Sequence, residues 1–118
     1  MQIIIEFVYK YLKLIILIIY MEFTLPDSKG FTVYSKSGCP NCNIVKQFIK
    51  EKHFFLREIN CDEYILEDKA EFLSFIEKLT ERHHKTFPMV FYEGKFLGGL
   101  YETMELIDKL LLSFEEIF

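Results

Sequence analysis

The chain has 118 residues, enough for one domain, and its 51% hydrophobic and 17% aromatic content is ample for a packed core. Net charge is −4 with Lys and Arg scattered rather than striped, which argues against a nucleic-acid partner. Its three cysteines form an odd set, unlike the even-numbered framework of a secreted disulfide scaffold, and they imply a reducing, cytoplasmic setting.

Residues 1–24 read as a hydrophobic N-terminal extension and residues 25–118 as the domain proper. Ile3 to Tyr20 is almost wholly apolar and β-branched. Only Glu6, Lys10 and Lys13 interrupt it, and their spacing puts them on one helical stripe. A signal peptide fits poorly, since there is no basic start and Tyr20-Met21-Glu22 is not a small-residue cleavage site. Three readings stay open: a start at Met21 with the upstream stretch an addition, membrane contact through residues 1–20, and packing on the domain. The charges within the stretch count against a clean membrane span.

Pro26-Asp27-Ser28-Lys29-Gly30 is a turn-rich break before the domain. Phe31 to Tyr34, β-branched and aromatic, reads as the first strand. A loop over Ser35 to Gly38 leads to a helix after Pro40, with Ile44, Val45, Phe48 and Ile49 on its buried face. Phe54 to Ile59 is the second strand. Asp62 to Arg82 carries a long amphipathic helix, broken near its start, with Phe72, Leu73, Ile76 and Leu79 inward. Met89 to Tyr92 and Lys95 to Leu97 are strands joined by Glu93-Gly94, a two-residue hairpin signal. Gly98-Gly99 then opens a final helix. The order βαβ, α, ββ, α predicts an α/β fold with a four-stranded mixed sheet flanked by helices. A ligand is expected at the carboxyl end of the first strand.

That is where Cys39-Pro40-Asn41-Cys42 lies. Thiols three residues apart on the first helical turn are close enough to form and break a disulfide. The unpaired N–H groups of that turn and the helix dipole stabilise a thiolate at Cys39, the nucleophilic form. Pro40 suits the first helical position, where its missing N–H has no partner to lose. A lone CxxC beside a βαβ pattern therefore reads as a redox motif.

These residues resemble the glutaredoxins, the glutathione-dependent branch of the thioredoxin fold, over roughly Gly30 to Leu112. The resemblance is carried, in order, by Tyr34-Ser35-Lys36-Ser37-Gly38-Cys39-Pro40-Asn41-Cys42, Lys85-Thr86-Phe87-Pro88, the Glu93-Gly94 hairpin and Gly98-Gly99. It implies a thioredoxin-like fold and a glutathione-disulfide oxidoreductase, with Cys39 and Cys42 catalytic, glutathione as co-substrate and no metal. It also implies a glutathione site made of Lys36, Lys85, Thr86, Phe87, Pro88, Gly98, Gly99 and Glu102. There a cis Pro88 presents the Phe87 backbone to glutathione as an added strand. Gly98-Gly99 leads into a helix start that can hold a carboxylate, and Lys36 and Lys85 serve the other carboxylate and the Cys39 thiolate. The partners implied are glutathione, oxidised or glutathionylated proteins and, among these, ribonucleotide reductase.

The chain departs from the family pattern at several places. Asn41 stands where dithiol members often have an aromatic residue. Tyr101-Glu102 stands where a small hydroxyl residue often precedes an acidic one. Lys85 replaces the Arg of many members and gives up its bidentate grip. Thioredoxin proper would carry Trp-Cys-Gly-Pro-Cys, yet there is no tryptophan, and Cys42 separates the chain from the monothiol, cluster-carrying branch.

A zinc site from Cys39, Cys42, Cys61, His53, His83 and His84 lacks a second ligand pair at finger-like spacing. His83 and His84 are instead expected to end a helix at its negative pole. Cys61 is expected to be a small buried residue, with a regulatory thiol as the alternative. Two rival functions remain: a redox-inactive binding module, which needs neither the cysteine pair, Lys36 nor Thr-x-Pro, and a membrane-tethered oxidoreductase.

Overall fold

The first strand, β1 (Phe31–Ser35), is buried at all five positions, as a central strand covered on both faces must be. The structure, a computed structural model, describes residues 4–12, 23–82, 84 and 86–117. Residues 4–12 form helix α1. The domain follows as β1, α2 (Pro40–Glu51), β2 (Leu56–Asn60), α3 (Asp62–Thr80), β3 (Met89–Tyr92), β4 (Lys95–Gly98) and α4 (Leu100–Ile117). Sheet order is β2-β1-β3-β4, with β1 and β2 parallel, β1 and β3 antiparallel, and β3 and β4 antiparallel. This is the four-stranded mixed sheet that the element order predicts.

Strand alternation sorts the core into two layers. Phe31, Val33 and Val90 join Val45, Ile49, Leu100 and Ile107 on the face covered by α2 and α4. Tyr34, Met89 and Phe91 join Phe72, Phe75 and Ile76 of α3 on the other. Glu58 on the edge strand β2 pairs with Lys46 and Lys50 of α2 at 3.8 and 3.5 Å, tying the crossover helix to its strand.

Several expectations need correction. Ile44 is 49% exposed rather than buried, because Cys42, Val45 and Ile49 already fill the inward stripe of α2. The second strand starts at Leu56, and Phe55 lies outside it, exposed and pressed against Gly30. The long helix stops at Thr80, where Glu81 takes a left-handed conformation and the Thr80 hydroxyl bonds both backbone groups of Arg82. His84 therefore lies beyond the helix end, edge-on to the Phe96 ring. The break foreseen near the start of α3 falls at Asp68.

Phe23 and Thr24, read as the end of the extension, are anchored to the domain. Phe23 packs against Tyr64, Phe72 and Phe75, and the Thr24 carbonyl accepts a 2.6 Å bond from the Tyr34 hydroxyl. The readings placed on residues 13–22, His83 and Lys85 lie outside the described residues. Among the described residues no helix is long and apolar enough to cross a membrane.

Candidate active site

Register alone gathers the site. Ser35 at the end of β1 pairs with Asn60 at the end of β2, and Tyr34 pairs with Met89 at the start of β3. Val90 pairs in turn with Gly98 at the end of β4. The segments Ser35–Cys39, Asn60–Asp62, Phe87–Pro88 and Gly98–Glu102 therefore share one end of the sheet, the carboxyl end of β1.

Cys39 is the N-cap of α2, in extended backbone, and Pro40 takes the first helical position. Its sulfur accepts from the Cys42 N–H at 3.2 Å, one of the donors a helix start leaves without an intrahelical partner. Cys39 and Cys42 are joined as a disulfide, with Cα atoms 5.3 Å apart. Cys39 retains slight exposure while Cys42 has none.

The Phe87–Pro88 peptide is cis. The Phe87 ring stacks on Phe72 with centroids 6.2 Å apart, and the Lys36 ammonium stands 5.6 Å from its centre. That placement brings a positive charge of the Cys39 loop onto the segment just before Pro88. Thr86 is exposed. A Cβ on Gly99 would lie 3.7 Å from the Pro88 carbonyl oxygen, so the Gly-Gly segment borders the same place. Of that pair only Gly98, at φ +137°, uses the freedom of glycine. The Gly99 carbonyl accepts from both the N–H and the hydroxyl of Thr103, at 3.2 and 2.8 Å, and thereby opens α4.

Sequence reasoning missed the clamp that holds the Cys39 loop. The Ser37 N–H donates to the Asp62 carboxylate at 2.9 Å, and the Ser37 hydroxyl donates to its second oxygen. The Asp62 N–H in turn donates to the Asn60 side chain at 2.8 Å, and the Cys61 N–H to the Ser35 carbonyl at 2.8 Å. The bond from the Ser37 hydroxyl, then that from its N–H, lowers the Asp62 carboxyl below its ordinary value. Nothing in the spacing of Ser37 and Asp62, 25 residues apart, announces the pair.

Cys61 is buried, as expected; desolvation pushes its thiol up to about 12. Such a thiol is inert. Among the described residues no group of three His, Cys, Asp or Glu side chains is placed to hold a metal ion.

The glutaredoxin family model matches residues 31–97, from β1 through the hairpin. The chain belongs to the glutaredoxin family. Rice chloroplastic glutaredoxin-C4 is 32% identical over 79 residues, 67% of this chain and 56% of the relative. Mouse mitochondrial glutaredoxin-2 is 27% identical over 74 residues, 63% of this chain and 45% of the relative. The match thus spans about half the length of these two proteins. The glutaredoxin-like protein NrdH of Lactococcus lactis strain MG1363 is 34% identical over 59 residues, 50% of this chain and 71% of its own.

Two solved glutaredoxins share the fold. Glutaredoxin 1 of Francisella tularensis, complexed with cacodylate, superposes with TM-score 0.60 at 25% identity, covering 69% of this chain and 94% of that one. A buckwheat glutaredoxin–glutathione complex gives 0.54 at 28% identity, covering 67% and 68%. The fold is thioredoxin-like, and the Cys39–Cys42 pair fits the CxxC motif of the glutaredoxin family.

Proposed function

We propose that the chain is a glutathione-dependent oxidoreductase that reduces glutathione mixed disulfides and protein disulfides. The observation that carries this reading is the arrangement at one sheet end: Cys39 on a helix start, with Lys36 against Phe87, the cis Phe87–Pro88 peptide and Gly98-Gly99 around it. Glutathione carries two carboxylates, an ammonium and a peptide backbone, and this arrangement offers a cation, a backbone edge beside Pro88 and a helix start. The similarity to a glutaredoxin solved with glutathione supports the same donor here.

In the proposed reaction the Cys39 thiolate attacks the glutathione sulfur of a mixed disulfide. A Cys39–glutathione disulfide forms, and the target thiolate leaves and takes a proton. A second glutathione thiolate then attacks the bound glutathione's sulfur, releasing glutathione disulfide and regenerating the Cys39 thiolate. With a protein disulfide, Cys39 forms a mixed disulfide with one target sulfur and Cys42 displaces that sulfur. This produces the Cys39–Cys42 disulfide and a reduced target, and two glutathione molecules restore the dithiol.

Cys42→Ser therefore retains activity on a small glutathione mixed disulfide and loses reduction of a protein disulfide, whereas Cys39→Ser loses both. Wild type reduced by thioredoxin reductase but indifferent to glutathione overturns the glutathione reading. Oxidised or glutathionylated proteins in a reducing compartment, the cytoplasm in our reading, are the proposed targets. Ribonucleotide reductase is proposed among them on family resemblance. A second reading adds a membrane surface, because α1 exposes Ile4, Ile5, Phe7, Tyr9 and Tyr11. The full chain failing to float with lipid vesicles would sink that addition.

A further inference from the structure

Phe23 and Thr24 precede residues 31–97, which the family model matches, yet both are built into the packing beneath the redox site. Phe23 lies edge-on to Phe72 and Tyr64, with centroids 5.6 and 5.0 Å apart, and tilted on Phe75 at 4.9 Å. Phe72, fully buried, is also the ring on which Phe87 stacks, the residue before cis Pro88. Thr24 follows a second route. Its carbonyl accepts a 2.6 Å bond from the Tyr34 hydroxyl, and its own hydroxyl lies 3.1 Å from that of Tyr64. Tyr34 is fully buried, pairs in the sheet with Met89, the residue after Pro88, and stands two residues before Lys36. The two routes end on Phe87 and Lys36, which meet at 5.6 Å.

A close-packed interior passes a displacement on, because it holds few voids to take up the slack. Without the Phe23 ring, Phe72 faces a cavity and can turn into it, and Phe87 moves with the ring it stacks on. Without the Thr24 carbonyl, the Tyr34 hydroxyl loses the acceptor that its burial requires. We propose that Phe23 is a positioning residue and that Phe23–Thr24 forms a strap, which fixes the Phe87 backbone and Lys36 where glutathione is to be held. The inference deepens the glutathione site proposed above and rests on it. Cys39 is placed by the start of α2 instead, so the strap governs recognition of the thiol donor and leaves the nucleophile as it is.

The test uses the full chain as wild type, Phe23→Ala, Phe23→Leu and, as a control at an exposed neighbour, Leu25→Ala. Second-order rate constants are measured for reduction of the Cys39–Cys42 disulfide by glutathione and by dithiothreitol, at a temperature where circular dichroism shows each variant folded. Dithiothreitol has no peptide backbone or carboxylate to be held. The glutathione rate falls about fivefold in Phe23→Ala and about twofold in Phe23→Leu, within the range that residues of a packed network exert at a distance. The dithiothreitol rate stays at the wild-type value, and Leu25→Ala matches wild type with both donors. If Phe23→Ala does not fold, Phe23→Leu decides alone. An unchanged glutathione rate in the folded variants overturns the inference. An equal fall with both donors also overturns it, because general loosening of the fold is then the cause. So does an equal fall in Leu25→Ala, since the effect then does not belong to the Phe23 ring. If dithiothreitol reduces wild type and glutathione does not, the glutathione reading itself fails and takes this inference with it.

Discussion

Asp62 holds the Cys39 loop through two bonds from Ser37, and the loop depends on a carboxylate for its hold. Its pKa is depressed in the folded chain, so ionisation of Asp62 contributes stability that is fully present above the unfolded value of about 3.9 and disappears as pH falls through the lower folded value. Asp62→Asn should therefore melt below wild type near neutrality, with the gap closing as pH drops below about 4. Thermal melts of both proteins across the acid range check this. A gap that is constant with pH would show that the charge is not what matters. Cys39 and Cys42 were legible at this scale because a dithiol at a helix start is a local pattern. Ser37 with Asp62 was not, since the pair exists only once β2 lies beside β1.

Among the elements, α3 shows most clearly how a local signal places a boundary. Asp68 leaves the helix at φ −157° and ψ 90°, and its carboxylate accepts from the Glu71 N–H at 3.0 Å. Asp68-Lys69-Ala70-Glu71 is thus a capping sequence that restarts the helix after the break. Asp68→Ala should cost about 1 kcal/mol, read as a lower urea midpoint with an unchanged slope. An unmoved midpoint would show that packing of Phe72, Phe75 and Ile76 alone sets the second half of α3. The hairpin was equally legible: Glu93 and Gly94, at φ 51° and 82°, make the tight turn that their residue types announce. The inward stripe of α2 was not, because an apolar Ile44 at helical spacing looks like core until the sheet shows which stripe it covers.

Across the whole molecule, Phe72 connects the core to the site. It sits on the α3 side of the sheet against Phe23 and Tyr64 and lies under the Phe87 ring, parallel to within 4°. Phe72→Ala should destabilise the fold by about 3–5 kcal/mol and should also lower kcat/KM for glutathione at temperatures where the variant stays folded. Urea unfolding and steady-state kinetics on the same preparation measure the two effects. Full kinetic competence in a destabilised but folded variant would remove Phe72 as a support of Phe87.

The sequence by itself determined the element order, the hairpin and the dithiol, because each is written in residues adjacent along the chain or in one helical or strand period. Only the tertiary structure decided that Phe23 belongs to the core and that Asp62 grips Ser37. Each of these is a contact between segments that no period relates. Distance along the chain carries no record of proximity in space until the sheet register sets it.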